Sequence, residues 1–243
     1  MNYYCGFCGS TKGFASIEED LGSQLHRYNF KYSLKDFETL SYKKYKCTKC
    51  GSSDRDRLYK LFLDTYELPE TTEKILDFAP SKPFEDYMRG RYTRYTTADL
   101  LIESVDDRVD ITNMSAYADG TYDFFICSHV LEHVDDDAKA LSELFRVLKS
   151  GHRGILMTPV IDKSGVQDED PKLTNEAERW RRFAQGDHVR LYEKQVFLER
   201  VKAAGFNIKV FGYWNLNPIK LYQSGVSLKS RLYVVNKLEK ANE

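Results

Sequence analysis

The segment "YDFFICSHVLEHVDDDAKALSELFRVLKSGHRGILMTPV", residues 122–160, restricts the fold more than any other part of the chain. It opens with an apolar run of strand length and passes through a polar corner. From there it lays Ala138, Leu141, Leu144, Phe145 and Leu148 along one helical stripe, with three acids at the positive helix end. Gly151 reads as a left-handed helix cap, and "GILMTPV" as the next strand. The same rhythm runs upstream. "DRDRLYKLFLDTYEL" (54–68) is a helix with Leu58, Leu61, Phe62 and Tyr66 on one face. "KILDFAP" is a strand ending in Asp77, and "FEDYMRG" a brief helix. "RYTRYTTADL" is a strand ending in Asp99, and "DRVDITNM" carries one ending at Asp110. Past a polar insertion (161–187), "EKQVFLERVKAAGF" is a helix, and "NIKVFGYW" and "RLYVVNKL" are late strands. Alternation of this kind predicts an α/β fold with a doubly wound, mostly parallel sheet.

In such sheets ligands bind beyond the carboxyl ends of the strands. Asp77, Asp99, Asp110 and the Ser128–His129 pair each stand at such an end. Asp99 follows Asp77 by 22 residues, the distance at which an acid after the second strand accepts both ribose hydroxyls. The first turn, "DFAPSKPF", has no glycine. That argues against a pyrophosphate-binding dehydrogenase and is compatible with a ligand without phosphates, such as S-adenosylmethionine.

Cysteines mark a second unit. "CGFC" (Cys5, Cys8) and "CTKC" (Cys47, Cys50) are each followed by glycine, and two such knuckles complete a four-thiolate zinc site. A closed site of this kind is structural. The 38 residues between the knuckles exceed the usual ribbon spacing and must carry structure of their own. A redox pair or unrelated thiols are the rival reading. Cys127, alone in an apolar strand, reads as a packed core thiol. The chain divides accordingly into a small zinc-ribbon-like module, 1–53, and a main domain, 54–243, with 161–187 as a substrate-side insertion.

With 36 basic against 37 acidic side chains the net charge is −1, which offers no broad attraction for nucleic acid or anionic membrane. The local cluster "ERWRR" reads as a solvated helix face. There is no secretory-type start and no apolar stretch of bilayer length, so a cytoplasmic protein is expected.

The blocks "ILDFAP", "YTTADL", "VDITNM" and "YDFFICSHVLEHV…ALSELFRVLKSGHRGILMTPV" together resemble the class I S-adenosylmethionine-dependent methyltransferases of the type 11 group. "GDHVRLYEKQVFLERVKAAGF" is similar to the late part of their catalytic domain, and "KCTKCGSSDRDRLYKLFL" to the zinc-knuckle leader of a bacterial subset. The likeness covers residues 47–211 and implies a Rossmann-like domain binding S-adenosyl-L-methionine. It implies Asp77, Phe78 and Ala79 beside the methionine portion, Asp99 with Leu100 at the ribose, Asp110 with Ile111 at the adenine, and Ser128 at the methyl-donor pocket.

His129, Glu132 and His133 crowd the corner between strand and helix, where polar rings are costly to hide. Their spacing places them on one face of a helical turn, and the resemblance brings His188 over the same pocket. Three imidazoles and a carboxylate suit a divalent metal with open positions. The set resembles the metal centre of small-RNA 2′-O-methyltransferases and ubiquinone-pathway O-methyltransferases, which carry Glu in place of His129. More nitrogen ligands favour manganese, iron or zinc over magnesium. A metal would lower a hydroxyl's pKa without a strong base. The alternatives are His188 or His129 as a metal-free general base, or histidines that only cap the helix start. The resulting expectation is O-methylation of a small polar or carbohydrate-type substrate. The rivals are an RNA methyltransferase with a zinc module, and a degenerate, non-catalytic domain that binds a protein partner. Oligomeric state is not readable.

Overall fold

Apolar runs too short for helices pair with one another at the centre of the molecule. The structure, a computed structural model, describes residues 2–69, 72 and 74–239; Met1 and residues 240–243, the outer ends of the two expected units, lie outside the described residues. In chain order the strands are β1 (Phe14–Ala15), β2 (Lys46–Cys47), β3 (Ile75–Phe78), β4 (Tyr95–Asp99), β5 (Asp107–Arg108), β6 (Tyr122–Ser128), β7 (Leu148–Met157), β8 (Val160–Ile161), β9 (Asp168–Glu169), β10 (Arg190–Glu193), β11 (Asn207–Phe211) and β12 (Leu232–Asn236). The helices are α1 (Ser23–Arg27), α2 (Asp54–Thr65), α3 (Lys82–Arg89), α4 (Asp137–Val147), α5 (Glu176–Phe183), α6 (Lys194–Ala203) and α7 (Pro218–Gln223).

Seven strands form the main sheet in the order β11-β12-β7-β6-β3-β4-β5. β3 lies parallel to both β4 and β6, and β4–β5 and β6–β7 are also parallel. β12 and β11 close the far edge antiparallel. Burial on both faces explains why β3 and β6 read as continuous apolar runs: every residue of β3 is buried, as is all of β6 but Ser128. The doubly wound, mostly parallel sheet expected from the sequence is the observed one.

Several boundaries differ from expectation. α2 ends at Thr65, and its buried face is Leu58, Tyr59, Phe62 and Leu63. β5 has two residues, so Asp110 stands in the turn after it and not at a strand end. α4 stops at Val147, and Leu148 is already extended opposite Tyr122. Gly151 has φ +78° but lies inside β7, where its N–H donates to Lys237 O (2.8 Å), so it is no helix cap. Starting β7 early keeps Leu148 fully buried against the sheet. Ala140, not Ala138, belongs to the buried stripe of α4.

The leader is tied into the rest of the chain. Leu25, Phe30 and Leu34 share a second small core with Ile161, Val166, Phe183, Ala184 and Leu191. Tyr28 stacks on Trp180 (5.5 Å between centroids). Arg57, fully buried, donates to Lys44 O, Tyr45 O, Ser52 O and Ser224 O, joining knuckle, leader and carboxy-terminal loop. Thr39 Oγ1 donates to Arg231 O (2.8 Å) and accepts from Arg231 N (3.0 Å). Among the described residues no helix is long and apolar enough to cross a membrane.

Candidate active site and metal centre

Three cavities meet beyond the carboxyl ends of β3, β4 and β6. The first, about 620 Å³, is edged by Asp99, Leu100, Asp110 and Ile111. The second, about 270 Å³, shares Phe78 and Ala79 with the first and reaches Asp77, Ser128 and Arg55. The third, about 410 Å³, lies behind His129 and His133 and is walled by Glu132, His188, Tyr45 and Arg55. A further groove of about 610 Å³ runs along the leader between Glu18 and Tyr42, away from the strand ends.

Backbone strain concentrates here. Among the described residues four non-glycine positions adopt left-handed φ, and Ala79 (φ 49°), His129 (φ 58°) and Ala184 (φ 70°) all border these cavities. Such conformations cost about 1–3 kcal/mol and persist where surrounding structure enforces them. Ala79 thus makes the turn after β3 that a glycine would make more cheaply.

The acids differ in what they leave open. Asp77 is buried and accepts from Tyr95 Oη (2.6 Å); burial pushes its carboxyl well above the usual range. Asp99 Oδ1 accepts the N–H groups of Leu101 (2.6 Å) and Ile102 (2.8 Å). Asp110 Oδ1 accepts from Thr112 N (2.8 Å) and Oγ1 (2.7 Å). Ser128 Oγ shares a 2.6 Å hydrogen bond with Tyr59 Oη.

The histidine corner is one isolated turn, with His133 N donating to Val130 O (3.0 Å), and is not part of α4. α4 begins only at Asp137, capped by Asp136, and residues 130–135 form a bend ahead of it. The buried guanidinium of Arg190 holds that bend by donating to the carbonyls of Leu131 (2.5 Å), Val134 and Asp135 (2.9 Å). Val189 N donates to Glu132 O (2.9 Å), which seats β10 beside it. His129 Nδ1 lies 3.1 Å from Glu132 Oε1, and Thr158 Oγ1 donates to Glu132 Oε2 (3.0 Å). His133 turns instead toward Asp187 (3.4 Å) and the edge of the His188 ring (4.7 Å between centroids).

Burial depresses His129 to about 4, with the Arg55 charge adding to it against the pull of Glu132. Burial opposes charge on Glu132 as well, but the flanking imidazoles outweigh it and hold the carboxylate down to about 2. His188 is lowered mainly by burial. Its Nδ1 meets Phe183 O at 3.1 Å, which assigns the proton to Nδ1 and leaves Nε2 an acceptor without a partner. The ligand atoms of Glu132, His133 and His188 lie within 4.8 Å of one another, close enough for a single ion. His129 is outside that group and contacts it through Glu132.

Just ahead of α2, Cys5, Cys8, Cys47 and Cys50 also converge within 4.8 Å. Cys5 Sγ–Cys50 Sγ is 3.7 Å and Cys8 Sγ–Cys47 Sγ is 3.8 Å. A tetrahedron with Zn–S bonds of ~2.3 Å has edges of ~3.8 Å, so the sulfurs already stand at zinc spacing. The knuckles match each other: Gly9 (φ 68°) and Gly51 (φ 78°) donate to Cys5 O (2.9 Å) and Cys47 O (3.0 Å). Without a cation the Cys8 thiol is pushed up to about 12, by burial and then by the neighbouring sulfurs. Cys127 is fully buried in β6, outside this group.

Sequence reasoning missed Arg55 and the leader side chains Ile17, Leu21, Phe37, Thr39, Leu40 and Tyr45, all of which wall the third cavity. The aromatic and apolar residues between the knuckles were the signal available, since a long inter-knuckle segment must bury them somewhere.

Comparison with known proteins bears on the family and the fold. The methyltransferase-domain family matches residues 52–209. No curated protein matches the chain. Among solved structures, the 4+2 cyclase SpnF is similar at 14% identity and TM-score 0.52, covering 94% of this chain and 100% of that one. A SAM-dependent methyltransferase from Archaeoglobus fulgidus aligns at 13% identity and TM-score 0.46, covering 76% and 93%. The YcgJ protein from a Bacillus aligns at 14% and 0.49, covering 76% and 99%. The likeness to the cyclase speaks to the fold alone, while the family match spans well over half the chain. The chain belongs to the methyltransferase-domain family, and its seven-stranded sheet, parallel but for the late strand pair at one edge, is the class I methyltransferase fold.

Proposed function

We propose that the protein transfers a methyl group from S-adenosyl-L-methionine to a hydroxyl of a small polar or carbohydrate-type substrate. The observation that carries this reading is the meeting of the first and third cavities at His129 and His133. One cavity offers Asp99 and Asp110 to a nucleoside; the other offers imidazoles to a nucleophile. In this reading Asp99 with Leu100 holds the ribose, Asp110 with Ile111 borders the adenine, and Asp77, Phe78, Ala79 and Ser128 border the methionine end. The cofactor, when bound, supplies an electrophilic methyl on sulfur. His188 Nε2 accepts the hydroxyl proton, His133 and His129 orient the acceptor, Glu132 fixes the His129 ring and Asp187 the His133 ring. A cavity of about 410 Å³ with mixed polar and aromatic walls suits a sugar-sized acceptor. The neutral overall charge speaks against an RNA substrate. Residues 1–53 would be the zinc-stapled module and 54–243 the catalytic domain.

A second reading rests on His188 Nε2, buried and without a hydrogen-bond partner, and on Glu132 Oε1, buried beside the His129 ring (3.1 Å). With His133 they could hold a divalent ion that lowers the acceptor's pKa. Turnover of methyl-labelled cofactor with a panel of sugars and sugar nucleotides tests both. His188→Ala should lose roughly 10²–10⁴ in rate under the base reading, with chelator harmless once zinc content is shown intact. Loss of rate on chelation that manganese restores would replace the base with a metal. Methyl transfer to RNA in preference to every sugar would overturn the substrate class.

A further inference from the structure

Arg55 is the second residue of α2, five positions past Cys50, and it stands where the second and third cavities meet. The charges of Asp54 and Asp56 favour the Arg55 guanidinium, yet among the described residues no carboxylate stands within ion-pair distance of it. Its only side-chain hydrogen bond is a long one, 3.5 Å, to Tyr45 Oη. The adjacent acids are committed to backbone: Asp54 accepts from Ser41 N (2.5 Å) and Arg55 N (2.9 Å), and Asp56 from Ser53 N (2.7 Å). In the first turn of α2, Arg55 N, Asp56 N and Arg57 N are taken by Asp54 Oδ1, Ser53 Oγ and Ser53 O. Across the second cavity, Ala79 N of the loop after β3 donates to Ala98 O (3.0 Å) and Pro80 has no N–H, so the loop offers no charged donor; Ser81 and the Lys46 side chain complete the wall. That cavity is the one continuous with the nucleoside-sized cavity through Phe78 and Ala79.

We propose that Arg55 binds the carboxylate of the cofactor's methionine, so that the zinc-stapled leader supplies the anion site that the glycine-free first loop does not provide. The proposal rests on the cofactor reading above. The planar fork of arginine matches a carboxylate in a bidentate pair, which an ammonium cannot reproduce. Because α2 starts at the second knuckle, cofactor affinity then depends on the metal site as well as on the Rossmann-like domain.

Two ligands separate the outcomes: S-adenosylhomocysteine, which carries the amino-acid tail, and 5′-methylthioadenosine, which lacks it. Calorimetry on the full-length, zinc-loaded protein should show Arg55→Gln weakening S-adenosylhomocysteine about ten- to a hundredfold while shifting methylthioadenosine less than about threefold. Arg55→Lys should fall between wild type and Arg55→Gln. Unchanged methylthioadenosine binding also shows that the variant is folded. Equal affinity of wild type and Arg55→Gln for S-adenosylhomocysteine would overturn the proposal and leave the cofactor reading standing. An equal loss for both ligands would overturn it too, since Arg55 would then shape the cavity and not meet the tail. If wild type binds neither ligand, the cofactor reading falls and this proposal with it.

Discussion

Asp99 and Asp110 look alike in the sequence and differ in what their carboxylates have left to give. Asp99 commits Oδ1 to two N–H groups of its own loop, so Oδ2 is the oxygen available to a ribose. Asp110 is exposed and closes a turn on Thr112. Asp99→Asn should weaken S-adenosylhomocysteine by about 1.5–3 kcal/mol, the worth of a charge-assisted hydrogen bond, or ten- to a hundredfold. Asp110→Asn should change it less than about threefold. Calorimetry finding the reverse order would move the nucleoside out of this cavity. These acids were legible because a residue at the end of a buried strand has one direction in which to point. Arg55 was not legible, because its exposure to a cavity depends on where a segment ten or more residues away docks.

At the scale of elements, β6 and the body of α4 follow from their apolar periodicity alone. The bend between them does not. Spacings of three and four residues fit the start of a helix, yet the left-handed φ of His129 and the clamp by Arg190 leave one isolated turn outside α4 instead. The clamp comes from a strand nearly sixty residues downstream, and no local pattern reports it. Arg190→Ala should leave three carbonyls of the bend without partners, at about 1 kcal/mol each. The expected result is a melting temperature lower by roughly 5–12 °C for a chain of this size and a loss of turnover larger than the loss of cofactor affinity. Full activity in this variant would mean that the bend holds itself. The end of α4 was misread for a related reason: a glycine after an apolar stripe signals a cap, but burial of Leu148 in the sheet ended the helix first.

For the molecule as a whole, the cysteine pattern was readable and the destination of the leader was not. Four thiolates at knuckle spacing imply a metal in any fold, whereas the docking of residues 17–45 on the insertion depends on surfaces far apart in the chain. Purified protein should carry about one zinc per chain. Cys47→Ser should lose it, melt at lower temperature and lose turnover, because metal binding is folding free energy for so small a unit and its loss frees Tyr45 from the third cavity. Retention of both zinc and melting temperature would remove the metal centre. The reciprocal bonds between Thr39 and Arg231 span 192 residues. On a translating ribosome adding roughly 5–20 residues per second, the partner of Thr39 emerges about ten to forty seconds after it. The knuckles can close on their metal in that interval, but the apolar face of Leu25, Phe30 and Leu34 waits uncovered for Phe183 and Leu191. High contact order therefore makes docking of the leader the late step of biogenesis and the stage at which the nascent chain is most prone to aggregate.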